Sequence, residues 1–230
     1  MARLDDKLIV VTGALGALGS AVADELEAAG AKVARFDYAK AHAPGELIFD
    51  GLDLTDEAAT TAAMAAVVQR CGGIDGLVNI AGGFTYAALA DAPASVWDQM
   101  FRINLVTAVT ATRAALSALS ASGSGSIVNI GAGAAAKAGA GMGPYAASKA
   151  GVAKLTESLA EELAGAGVRV NALLPSTIDT PANRRDMPTA DFATWVQPRD
   201  IAKAIVFLLS DQAVAISGAL IPVTMGHRGG

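Results

Sequence analysis

Residues 8–30 constrain the chain more tightly than any other stretch. An unbroken apolar run, Leu8-Ile9-Val10-Val11, leads into Thr12-Gly13-Ala14-Leu15-Gly16-Ala17-Leu18-Gly19, and a helical stretch over 17–29 ends at Gly30. A strand without polar alternation is buried on both faces. Glycines between such a strand and a helix permit a tight turn and close approach of another backbone. The alternation continues along the chain. Residues 32–37 and 46–50 read as strands, Thr55 as the cap of a helix reaching Cys71, 76–80 as a strand and 96–119 as a helix. Beyond them 126–130, 168–174 and 219–223 read as strands, and 145–164 and 198–209 as helices.

Strand and helix in alternation imply right-handed crossovers and a mostly parallel sheet covered on both faces. The expected fold is therefore α/β, a single Rossmann-type doubly wound parallel sheet with helices on both faces. No repeat or linker divides residues 1–230, which read as one dinucleotide-binding domain with a substrate loop at about 175–197. Sheets of this kind bind ligands outside the carboxyl ends of their strands.

Composition narrows the partners. Seventeen basic residues against 22 acidic ones give a net charge of −5 with no basic cluster, which argues against nucleic acid. One cysteine, Cys71, and two histidines supply neither a disulfide nor a zinc site, so no metal is expected. The charge-free stretches 8–23 and 114–136 are broken by glycine and serine, and the start of the chain lacks the pattern of a signal peptide. The expectation is a cytoplasmic protein with no membrane partner. Its 53% apolar content and the alanine-rich helices 96–119 and 145–164 point to a homodimer or homotetramer.

The turn holding Gly13, Leu15, Gly16, Leu18 and Gly19 suits a pyrophosphate met by a helix N-terminus. Asp37 ends the second strand, where a carboxylate accepts hydrogen bonds from ribose hydroxyls and repels a 2′-phosphate. That favours NAD(H) over NADP(H), although Arg35 and Lys40 flank the aspartate. Tyr145 and Lys149 are four residues apart on one predicted helix face. A neighbouring ammonium favours phenolate, so the tyrosine pKa is expected to fall.

With Asp53-Leu54, Asn79-Ile80-Ala81-Gly82, Asn104, Tyr145-Ala146-Ala147-Ser148-Lys149 and Val170-Asn171…Pro175 added, the chain resembles the short-chain dehydrogenase/reductase family over essentially its whole length. That resemblance implies an oxidoreductase acting on a small molecule. Tyr145 would transfer the proton, Lys149 would hold the nicotinamide ribose and Asn104 would anchor a relay water. It implies further that Asp53 and Leu54 hold the adenine, and that Asn79, Ala81 and Gly82 line the adenosine side. Pro175 opens the following turn, in which Ile178 and Thr180 would contact the carboxamide. The family's serine, 13 residues before the tyrosine, is replaced by Ala132.

Within the family, Gly16-Ala17-Leu18-Gly19, Ala81-Gly82-Gly83-Phe84 and the run from Leu174 through Arg184 to Trp195 look more like quinonoid dihydropteridine reductases than alcohol dehydrogenases. Phe84, Phe192 and Trp195 could then wall a flat heterocycle, and core packing is the competing reading. Ser176 or Thr177 could stand in for the serine. The alternatives in function are a dinucleotide-binding regulator without catalysis and an NADPH-dependent 3-oxoacyl-type reductase. The retained Tyr145 and Lys149 argue against the first, and Asp37 and the absent serine against the second.

Overall fold

The computed structural model describes residues 2–43 and 45–225. The single-domain reading of 1–230 extends at residues 1, 44 and 226–230 outside those described. Seven strands form one parallel sheet in the order β3-β2-β1-β4-β5-β6-β7. They are β1 (Leu8–Thr12), β2 (Lys32–Asp37), β3 (Ile48–Asp50), β4 (Gly76–Asn79), β5 (Ser126–Ile130), β6 (Arg169–Pro175) and β7 (Leu220–Val223). The central strands are buried from end to end, as their unbroken apolar sequences require.

Helices cover both faces. On one lie α1 (Ala17–Ala28) and α7 (Pro198–Leu209), where Val22, Leu26, Ile201 and Ile205 pack on Ile9, Val11 and Val128. On the other lie α2 (Glu57–Cys71), α4 (Thr107–Ala121) and α5 (Gly143–Leu163), with Met64, Val67, Ala111, Leu119 and Leu163 against Leu8, Val10 and Ile127. Between them, α3 (Ala94–Phe101) precedes α4, and α6 (Pro181–Asp186) follows β6. Strand order reverses between β1 and β4, which opens a crevice at their carboxyl ends.

Three local expectations are corrected. Asp56, not Thr55, caps α2: its carboxylate accepts the Ala59 N–H at 3.0 Å, while the Thr55 N–H and hydroxyl both donate to Asp53 at 2.8 Å. The helix expected over 96–119 is interrupted by a π-helical turn, Arg102–Val106, between α3 and α4. Residues 94–121 are long and apolar enough by composition to cross a bilayer, yet they pack against α2, α5 and β4. A short helix, α6, occupies the stretch expected as loop.

Candidate active site

The seam between β1 and β4 is closed by Thr12. Its hydroxyl accepts the N–H groups of Ile80 (3.0 Å) and Ala81 (3.2 Å) and donates to the Val78 carbonyl (3.4 Å). The turn that follows has no room for side chains. Gly13 sits at φ +65°, and a Cβ there would lie 2.9 Å from the Ala81 nitrogen. A Cβ on Gly19 would collide with the Gly13 carbonyl oxygen. Helix α1 starts at Gly16 without a side-chain cap, so its first-turn amides are left for an anion. A bare backbone cradle at a helix N-terminus fits the diphosphate of a dinucleotide.

Asp37 faces this turn. Its Oδ2 accepts the Leu15 N–H and its Oδ1 the Ala39 N–H, both at 2.8 Å, leaving further lone pairs for hydroxyl donors. The flanking cations are held elsewhere. Arg35 pairs with Asp24 and Glu27 on α1, and Lys40 with Asp50 at 3.1 Å. Asp53, next along the wall, sits below the ordinary carboxylate range because the Thr55 N–H and hydroxyl bond its charged form.

Tyr145 and Lys149 lie on the first turns of α5, where Pro144 near its start suits the helix N-terminus. The Lys149 Nζ donates to the Ile130 carbonyl at 2.7 Å, and burial pulls its pKa down to about 8. Burial pushes the Tyr145 phenol up to about 12. The expected lowering by lysine is thus corrected: desolvation of the phenolate outweighs an ammonium turned onto β5. The Phe84 ring meets Tyr145 edge-on, with centroids 5.0 Å apart.

Ala132 lines the cleft just past β5 and brings no hydroxyl. Ser126 donates to Leu208 and Ser148 to the Tyr145 carbonyl, so neither replaces the serine. Ser176 and Thr177 line the cleft, and neither hydroxyl bonds to the protein.

The far wall is the segment after β6. Asp179 accepts both prongs of Arg184 (2.6 and 2.7 Å) and the Gln197 amide (2.9 Å), which hold its carboxyl down at about 2. The Arg184 guanidinium lies 4.7 Å over the Phe192 ring, which packs on buried Trp195. Phe192 and Trp195 therefore brace this segment and do not line the cleft. Thr180 caps α6 by accepting the Asn183 N–H.

One cleft of about 1830 Å³ collects these parts. It exceeds the roughly 300–1,000 Å³ of a single small-ligand pocket, so a dinucleotide and a substrate fit side by side. Gly13, Leu15, Gly16, Leu18, Gly19, Asp37, Asp53, Leu54, Ala81, Gly82, Tyr145, Lys149, Pro175, Ile178 and Thr180 all line it. Asn79 and Asn104 do not. The Asn79 amide donates to Thr112 and Asn129 inside the sheet layer. Asn104, buried in the π-helical turn, accepts the Gly83 N–H and donates to the Gly83 carbonyl and Ser148. Both side chains act as ties between elements. Tyr86, Lys137, Met142, Arg185 and Met187 also line the cleft and were missed, because no spacing in the sequence marks loop residues that converge only in three dimensions.

The family model of short chain dehydrogenases matches residues 7–191. The chain is 33% identical to 2-(S)-hydroxypropyl-CoM dehydrogenase 3 of Xanthobacter autotrophicus, with 97% of each chain covered. It is 34% identical to cis-4-hydroxycyclohexanecarboxylate dehydrogenase of Sinomonas cyclohexanicum, with 96% of each covered. The crystal structure of levodione reductase superposes with a TM-score of 0.88 at 27% identity, covering 96% of this chain and 97% of that one.

Proposed function

The chain belongs to the short-chain dehydrogenase family of nicotinamide-dependent oxidoreductases, and on that premise we propose that it transfers hydride between NAD(H) and a small carbonyl, imine or quinonoid compound. Tyr145 moves the proton, and no serine takes part at position 132. The observation that carries this reading is the Tyr145 phenol itself. It lies on the cleft wall between the glycine turn and the segment after β6, and burial keeps it protonated at neutral pH.

The coenzyme supplies the hydride when bound; the protein's part is orientation and proton transfer. The Tyr145 Oη donates its proton to the substrate oxygen or nitrogen as negative charge develops there. Lys149, one helical turn on, stabilises the phenolate left behind. With alanine at 132, a tyrosine donor works without the second hydroxyl, and removing one such donor typically costs about 10²–10³ in rate. Preference for NADH over NADPH is supported by Arg35 and Lys40, both tied to carboxylates, and by Asp37 at the ribose end. The hydroxypropyl and hydroxycyclohexane names of the relatives are those of secondary alcohols, which favours an alcohol–ketone pair.

A quinonoid dihydropterin is the second reading. It is favoured by Ala132 together with the exposed rings of Phe84 and Tyr86, since a ring gaining aromatic character needs less oxyanion stabilisation. We place the protein in the cytoplasm as a homodimer or homotetramer joined through α4 and α5. The test is NADH oxidation with small ketones, imines and freshly generated quinonoid dihydropterin, run on wild type and Tyr145→Phe. The variant should bind NADH but lose about 10²–10⁴ of turnover. Undiminished turnover would remove Tyr145 from the mechanism, and inertness of the wild type towards every acceptor would favour a non-catalytic regulator.

A further inference from the structure

Among the described lysines and arginines, only Lys32, Lys137 and Arg185 make no bond to the protein. Lys32 opens β2, at the end of the sheet away from the cleft. The other two line the same cleft. Lys137 follows Ala132 in the connection that runs from β5 to Tyr145, and Arg185 lies on α6. Both therefore belong to the half of the cleft beyond Tyr145, away from the cradle formed by the glycine turn.

The contrast between neighbouring arginines is informative. Arg184 is locked on Asp179 and over Phe192, which sets the rotation of α6. Successive helical residues point about 100° apart, and Arg185 is the one that reaches the cleft without a carboxylate partner. Between the two free cations the wall is apolar, with Tyr86, Met142 and Met187. Asp186 is the opposing charge on this rim, leaving two cations against one anion.

We infer that Lys137 and Arg185 form a binding site for an oxyanion, a carboxylate above all, carried by the substrate at the end away from its reacting carbon. The inference deepens the proposed reductase reading and rests on it for the word substrate. The ligand has an apolar ring or chain against Tyr86 and the two methionines, and its anionic group meets the two cations. An arginine fork suits a carboxylate in particular, because two parallel N–H groups match its two oxygens. A neutral dihydropterin would leave these cations unmatched, so the site also separates the two substrate readings.

The test is calorimetric binding to the NADH-saturated enzyme of cyclohexanecarboxylate against cyclohexanecarboxamide, a neutral analogue of similar shape. The carboxylate should bind about tenfold more tightly, in line with a charge-assisted hydrogen bond. That preference should fall towards unity in the Lys137→Gln/Arg185→Gln double variant. Asp186→Asn should sharpen it about twofold, the size of one exposed like-charge contact. Equal binding of the two ligands by wild type overturns the site. So does a double variant that keeps the preference but loses NADH affinity, which would assign the cations to the coenzyme diphosphate. Because binding is read without turnover, selective carboxylate binding by an enzyme inert towards 4-oxocyclohexanecarboxylate and every other carbonyl would sink the reductase reading and leave the anion site standing.

Discussion

At the β1–α1 end of the cleft the protein offers main chain: the Thr12 seam, the Gly13 turn and the uncapped start of α1. At the other end, beyond Tyr145, it offers long side chains on loops and on α6, held in place by Asp179. A surface of main chain cannot be retuned one residue at a time, because every added Cβ meets backbone that cannot move aside. A surface of side chains can. The first end is suited to a ligand common to many relatives, and the second to one that varies between them.

Four measurements break or sharpen that contrast. Gly19→Ala strikes main chain against main chain, so it should cost about 3 kcal/mol, the upper end of overpacking. Urea unfolding reads this, and NADH affinity should fall in parallel. A variant as stable as wild type would mean that the turn is softer than its contacts suggest.

Where the two ends meet, Lys149 makes stability depend on pH. Its folded pKa of about 8 lies below the model value of 10.5. Below pH 8 both states carry the proton, and the fold bears the full cost of the buried ammonium. Between those values only the unfolded chain keeps the proton, so stability rises with pH, by about 3 kcal/mol over the window. Tyr145 acts the other way above pH 10, since the unfolded phenol ionises first. Urea midpoints of wild type relative to Lys149→Met should therefore climb from pH 7.5 to pH 10. A flat difference would show that the lysine is hydrated in the folded protein.

Ala132→Ser returns a hydroxyl donor to the cleft and should raise ketone turnover at least about tenfold, a fraction of what such donors contribute elsewhere. No gain would mean that Ser176 or Thr177 already fills the role. The smallest effect on stability belongs to Met187→Ala, which should stay within about 0.5 kcal/mol because the side chain is exposed. The same variant should nonetheless alter the ranking of ketones by KM. An unaltered ranking would place the substrate away from α6.

Much of the fold was legible because buried parallel strands announce themselves. The boundaries of β2, β5 and α7 agree with the apolar pattern to the residue. The glycine turn and the Tyr145–Lys149 spacing were legible too, since both depend on neighbours in sequence. Contacts made across the fold were not. The lysine was expected beside the phenol, but the Ile130 carbonyl on β5 takes its ammonium. Thr55 has the chemistry of a cap, yet Asp53 two residues before it captures the hydroxyl. The Asp179 clamp joins Arg184 and Gln197, a pairing that no periodicity announces. Asn104 could not be placed from spacing, because its π-helical turn is held by Gly83 and Ser148.

That turn has a consequence for insertions and deletions. A π-helical turn inserts one extra residue into an α-helix, which advances everything after it by about 100° of phase. The buried stripe of α4, Ala108, Ala111, Ala115 and Leu119, is aimed at the core by that advance. Losing any single residue from 102–106 would let the helix run straight and swing the whole stripe aside. Substitutions in this segment are thus local events, whereas a change of length by one is felt four turns away.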